Sequence, residues 1–271
     1  MAAGRFDPDS QAPRRAAHGW PSRAIRGTLL IGLLAGLAPA AVAADAEHVI
    51  LVHGLWRSSR SMMPMQEALE EAGFVVLNLD YPSRTATIEE LSEETIGPAL
   101  EKCLEDGATK VHFVTHSLGG ILVRSYFSRH SADNVGRVVM LGPPNQGSEA
   151  IDVFEEFPLF DGIMGPAALE LGTDDDSVPN TLGKPAFPVG IIAGNRSLNP
   201  VESVLIPGSD DSKVSVERTM LDGMTDHIVV PTTHPFMMRN ARAIRETIHF
   251  LTDGRFSHTV MEPMRRPSRR R

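Results

Sequence analysis

Short apolar runs recur along the chain. The runs 48–52, 74–77, 111–114, 138–141, 189–192 and 227–230 hold four or five residues each, mostly Val, Ile, Leu and Phe. Continuous runs of that length suit strands buried on both faces, as in a parallel sheet. Between them the spacing turns helical. Residues 65–72 carry Met65, Leu69 and Ala72 on one face and stop at Gly73, a common helix terminator. Residues 87–104 open with Thr87 and Glu90 at capping-box spacing and contain Pro98, where a bend is expected. After Ser117 a helical pattern runs through Ile121, Leu122, Val123, Tyr126 and Phe127, and a closing amphipathic helix is expected over 236–251, with Ile244, Ile248 and Leu251 on one face. This alternation predicts an α/β architecture: a mostly parallel sheet with helices on both faces, in one domain over 44–254. The interruption is 145–187, which holds Phe154, Phe157, Leu159, Phe160, Ile163 and Met164 among scattered Gly and Pro. A connection of that length reads as a cap or lid insertion.

The two ends differ from the body. Residues 27–44 carry no charge, follow Arg23 and Arg26, and end in Ala41-Val42-Ala43. Basic flank, apolar stretch and small residues describe a secretory signal peptide over 1–43, and so an exported protein, periplasmic or secreted. An uncleaved N-terminal membrane anchor is the alternative, since eighteen uncharged residues sit at the lower limit for a span. Residues 255–271 form a basic tail, read as solvated and disordered.

Five arginines against two aspartates precede Ala44, and six arginines against one glutamate follow Gly254, so the net −8 of the chain leaves −16 on the body. An acidic body lacks the basic face that displaces counterions from phosphates, which argues against a nucleic-acid partner. Cys103 is the single cysteine. It permits no intramolecular disulfide and reads as a small buried residue.

The chemistry lies at 111–120, Val-His-Phe-Val-Thr-His-Ser-Leu-Gly-Gly. An apolar strand enters a turn, Ser117 sits on the turn, and a helix follows. The general pattern is Gly-x-Ser-x-Gly, a nucleophile elbow, in which small residues two before and two after the serine let strand and helix pass closely. Gly119 satisfies this, and Thr115 departs from it.

With these residues the chain resembles the lipase and esterase branch of the α/β-hydrolases. The resemblance is carried by Leu51-Val52-His53-Gly54-Leu55-Trp56, by the elbow, and by Leu141-Gly142-Pro143-Pro144-Asn145-Gln146-Gly147-Ser148, and it covers most of 48–251. It implies the order nucleophile, acid, histidine. The acid then falls in Ser209-Asp210-Asp211-Ser212-Lys213-Val214, where Asp211 fits the family spacing and Asp210 is the alternative. The base is expected to be His234, on the loop after the last strand. His227 begins that strand and reads as structural. The resemblance also implies an oxyanion hole from the backbone N–H groups of Leu55 and Leu118, with His53 orienting its loop. Trp56, Phe157 and Phe160 are expected to contact substrate, the two phenylalanines from a cap over Ser117. Burial of the cap's apolar cluster against outer helices is the competing expectation. His112 and His116 sit on strand and turn, where their spacing does not converge on an ion. Neither metal nor cofactor is expected.

The implied reaction is hydrolysis of a small-molecule or lipid ester through an acyl-enzyme, with a membrane surface as an allowed contact. Acyl transfer, thioester hydrolysis or amide hydrolysis on the same three residues is the rival reading. A non-catalytic binding protein on the same scaffold is a more distant one.

Overall fold

The computed structural model describes residues 47–155, 164–197, 206 and 208–258. Six strands form one sheet: β1 His48–Val52, β2 Val75–Asn78, β3 Val111–His116, β4 Val135–Leu141, β5 Val189–Gly194 and β6 Asp226–Val230. Every pairing is parallel, in the order β2-β1-β3-β4-β5-β6. The continuous apolar runs are explained by burial on both faces. Ile50, Val52, Phe113 and Val138 pack with helices α2 (Ile88–Glu105) and α3 (Leu118–Phe127), while Val49, Leu51, Val114 and Val139 pack with α1 (Met63–Glu71) and the closing helix Ala241–Asp253.

Local signals in the sequence set the helix ends. The Thr87 hydroxyl accepts the Glu90 N–H, and Glu90 accepts from the Thr87 N–H, so the capping box forms. Glu170 adds a third contact there, accepting the Ile88 N–H at 2.6 Å. The closing helix differs from expectation. It starts at Ala241 rather than Phe236, because the Asn240 side chain accepts from the Arg242 and Ala243 N–H groups as an N-cap. The preceding residues His234–Arg239 wind as a separate 3-10 turn with Pro235 at its start.

Of residues 145–187, where the sequence suggests a cap, 145–155 and 164–187 are described. They contribute α4 (Glu149–Glu155) and single-turn helices Pro166–Leu169 and Val178–Thr181. Ile151, Ala167, Ala168, Leu171 and Phe187 join the same apolar cluster as Leu118 and Ile121 of α3. The side chains of Phe154, Phe157, Leu159, Phe160 and Ile163 lie outside the described residues, as do the signal-like segment and most of the basic tail. Among the described residues no helix is long and apolar enough to cross a membrane.

The strand order places the functional loops. A parallel sheet binds ligands beyond the carboxyl ends of its strands, where neighbouring strands send their connections in opposite directions. Here that point lies between β1 and β3. The His53-Gly54-Leu55 loop leaves one strand and Ser117 leaves the other.

Candidate active site

Ser117 has φ 53° and ψ −123°, a conformation that costs a non-glycine residue strain and persists where surrounding structure enforces it. The enforcement is visible. Its N–H donates to the Leu141 carbonyl at 2.9 Å and its carbonyl accepts the Gly120 N–H at 2.9 Å. The first turn of α3 rests on the end of β1. A Cβ at Gly119 would lie 2.5 Å from the Val52 oxygen and 2.8 Å from that of His53. A Cβ at Gly54 would lie 3.0 Å from the Ser117 Cβ. The small residues therefore bring the elbow against the loop after β1. Thr115 is accommodated by the glycine at 120, where a Cβ would sit 3.1 Å from the Thr115 hydroxyl. The doubled Gly119-Gly120 offsets the departure at the first position of the elbow.

His53 holds its own loop. Its ring is fully buried and stacks on Tyr81, centroids 4.2 Å apart. Nδ1 donates to the Gly54 carbonyl at 2.9 Å, Nε2 accepts the Tyr81 N–H at 3.3 Å, and the Tyr81 hydroxyl donates to the His53 carbonyl at 2.7 Å. Burial lowers the His53 pKa, against the Gly54 bond and Asp80 which raise it. Next to Leu55, Trp56 adopts φ 60°, gives its N–H to the Ser83 hydroxyl and is 48% exposed under the Arg84 guanidinium. Leu118 is fully buried; its N–H opens α3 and so lacks an intrahelical acceptor.

The structure brings Asp211 and His234 together, at 2.7 Å between Oδ2 and Nδ1. Asp211 is fully buried. Its other oxygen accepts the N–H groups of Lys213 and Val214 at 3.1 and 3.0 Å, so the carboxylate is satisfied on both sides. The Asp211 carbonyl accepts the His234 N–H at 3.0 Å, locking backbone to backbone. An ionised carboxylate only accepts, so Nδ1 carries the ring proton and Nε2 is left as an acceptor. Asp210 turns elsewhere: its Oδ1 accepts the Ser212 N–H at 2.7 Å, and its backbone bridges Ser215. Asp222 is exposed and pairs with Lys184. His227 meets the Thr219 hydroxyl.

Four non-glycine residues among those described have positive φ, and three are Trp56, Ser117 and Ser212. They follow Leu55, occupy the elbow and follow Asp211. Backbone strain concentrates at functional sites, and its distribution here singles out the same three loops. Three further residues contribute contacts around these loops. Gly142 has φ 55°, and a Cβ there would lie 3.1 Å from both Asp211 Oδ2 and His234 Nδ1. His116 reaches the His234 carbonyl. Arg124 is buried without a carboxylate partner among the described residues and donates to Asn145, Pro179 and Gly183 oxygens, fastening the insertion to α3. Burial lowers its pKa to about 10. The sequence does not mark these contacts, because each reaches residues distant along the chain. His112 accepts the Arg137 N–H and shares no partner with His116.

Comparison with known proteins bears on the fold and the family. Lysosomal thioesterase PPT2 of Mus musculus is 32% identical over 119 residues, 42% of this chain and 39% of that protein. The chain thus matches about two fifths of the length of that curated relative. In fold it is similar to the mature form of the lipase BlEst2 from Bacillus licheniformis, with TM-score 0.63 and 20% identity over 75% of this chain and 91% of that one. It is also similar to the metagenomic carboxyl esterase MGS0156, with TM-score 0.57 and 17% identity over 71% and 65%. The model of the alpha/beta hydrolase family matches residues 49–263, and with the parallel sheet and the elbow in place the chain belongs to that family.

Proposed function

We propose that the protein is a carboxylic ester hydrolase in which Ser117, His234 and Asp211 act as nucleophile, base and acid. The observation that carries this is the Asp211–His234 hydrogen bond at 2.7 Å, made by two loops at the same edge of the sheet as a strained serine. His234 Nε2 takes the proton of the Ser117 hydroxyl as its oxygen attacks the ester carbonyl. Asp211 holds the tautomer and stabilises the imidazolium that forms. The N–H groups of Leu55 and Leu118 receive the developing oxyanion; losing such a donor costs roughly 3–4 kcal/mol. The proton passes from His234 to the leaving alcohol. Water, deprotonated by the same ring, then releases the acid from the acyl-enzyme. The three residues supply the whole reaction without a cofactor.

Lipid or small-molecule esters are the substrate class, with the exposed Trp56 as a substrate contact; Phe157 and Phe160, expected from the sequence to be others, lie outside the described residues. Thioester hydrolysis is the second reading, favoured by the likeness to lysosomal thioesterase PPT2; the chemistry at Ser117 is the same and only the leaving group differs. Export follows from the sequence of 27–44, either with cleavage near Ala44 or with the segment retained as an anchor.

A panel of p-nitrophenyl esters from acetyl to palmitoyl, with an acyl-CoA and an anilide, tests this reading. Turnover of esters or acyl-CoA that vanishes in Ser117→Ala supports it. Activity within about tenfold of wild type in that variant would exclude Ser117 as nucleophile.

A further inference from the structure

His116, the residue before the nucleophile, is at most 1% exposed. Its Nε2 lies 3.0 Å from the backbone carbonyl oxygen of His234, and the two rings are 4.7 Å apart between centroids. A carbonyl only accepts, so Nε2 carries the proton and Nδ1 keeps a bare lone pair. Nδ1 is buried with no hydrogen-bond partner among the described residues. It faces the loop after β1: a Cβ at Gly54 would come within 2.9 Å of it. One imidazole thus touches the loop proposed to carry the oxyanion donor, adjoins the nucleophile in the chain, and hydrogen-bonds the backbone of the proposed base.

A residue serving only as core filler needs no buried nitrogen. A buried unpaired polar atom costs free energy that an apolar ring of the same shape avoids. Phenylalanine would fill this space without leaving Nδ1 unsatisfied. What phenylalanine lacks is the N–H directed at His234. From this contrast, and resting on the proposed hydrolase reading, we propose that His116 is a positioning residue: its ring sets the spacing between the Gly54 loop and the His234 turn, and its Nε2–H pins the base relative to Ser117. Burial and the neighbouring His234 hold its pKa well below the ordinary value, against the bond to the His234 carbonyl. The ring therefore stays neutral beside a base that becomes cationic during each turnover.

The test compares His116→Phe, His116→Gln and His116→Asn with wild type, using p-nitrophenyl butyrate turnover, the rate of fluorophosphonate labelling, and Tm. Glutamine places an N–H near the position of Nε2; asparagine reaches only to that of Nδ1. Misplacing a base by about 1 Å costs on the order of 100-fold. The Phe variant should accordingly lose roughly 10- to 100-fold in kcat and in labelling rate while KM stays within about threefold. The Gln variant should recover most of the loss and the Asn variant little of it, without Tm following the same order. If the Phe variant does not fold, the Gln and Asn pair carries the comparison. Variants that keep wild-type kcat, or that lose kcat only in step with Tm, overturn the inference. A wild-type protein that neither turns over esters nor takes fluorophosphonate overturns the hydrolase reading, and this one with it; an active wild type with unaffected variants overturns this one alone.

Discussion

Asp210 and Asp211 are adjacent, both buried, and differ entirely in what they face. Asp211 turns toward His234 and two backbone N–H groups, Asp210 toward the Ser212 N–H. Family spacing favoured Asp211 and left Asp210 open; the direction of each side chain, set by the Ser212 turn at φ 85°, could not be read from composition. Asp211→Asn should therefore cost about 10³- to 10⁴-fold in kcat, because an amide no longer fixes the imidazole tautomer. Asp210→Asn should change kcat little and lower Tm. Steady-state kinetics and melting curves of the two variants check this, and equal losses in kcat would contradict the assignment. Gly142 lies against the Asp211–His234 pair with φ 55°. Gly142→Ala should cost about 1–3 kcal/mol of strain and displace the pair, lowering kcat more than KM.

The elbow is legible as an element because its signals are local: an apolar strand, a small-residue turn and an apolar helix in the seventeen contiguous residues from Val111 to Phe127. Its one irregularity, Thr115, is explained by a contact the motif does not contain, the missing side chain of Gly120. The Thr115 hydroxyl is buried with no hydrogen-bond partner among the described residues. Replacing it by an apolar group of the same shape relieves that cost, so Thr115→Val should keep activity and match or exceed wild-type Tm. A fall in Tm beyond a few degrees would mean the hydroxyl holds a partner. Gly119→Ala, by contrast, puts a methyl 2.5 Å from a β1 carbonyl and should unseat the elbow. The start of the closing helix is harder to read from the sequence, since apolar residues run through Phe236 to Met238 ahead of its first residue, Ala241. Asn240 was the available cue, a side chain that caps helices.

At the scale of the molecule, the alternation of apolar runs and helical stretches was enough for the parallel sheet, because strands buried on both faces have a distinctive composition. Arg124 and His116 were not legible: their partners lie 21 to 118 residues away. Four histidines, His53, His112, His116 and His227, have pKa values lowered first of all by burial. Below the ordinary value near 6.5 the unfolded chain binds protons that the folded chain refuses. Stability contributed by these groups is thus present above pH ~6.5 and is lost as pH falls from there toward the folded-state values. Tm should decline below pH ~6.5, and less steeply in His116→Phe; a flat profile between pH 7 and 5 would contradict this. Whether Ser117 is an activated nucleophile is decided by intact-mass analysis after fluorophosphonate treatment, followed by peptide mapping. A single adduct on Ser117 is expected, absent from Ser117→Ala and strongly slowed in His234→Ala. No adduct, or an adduct on any other residue, would contradict it.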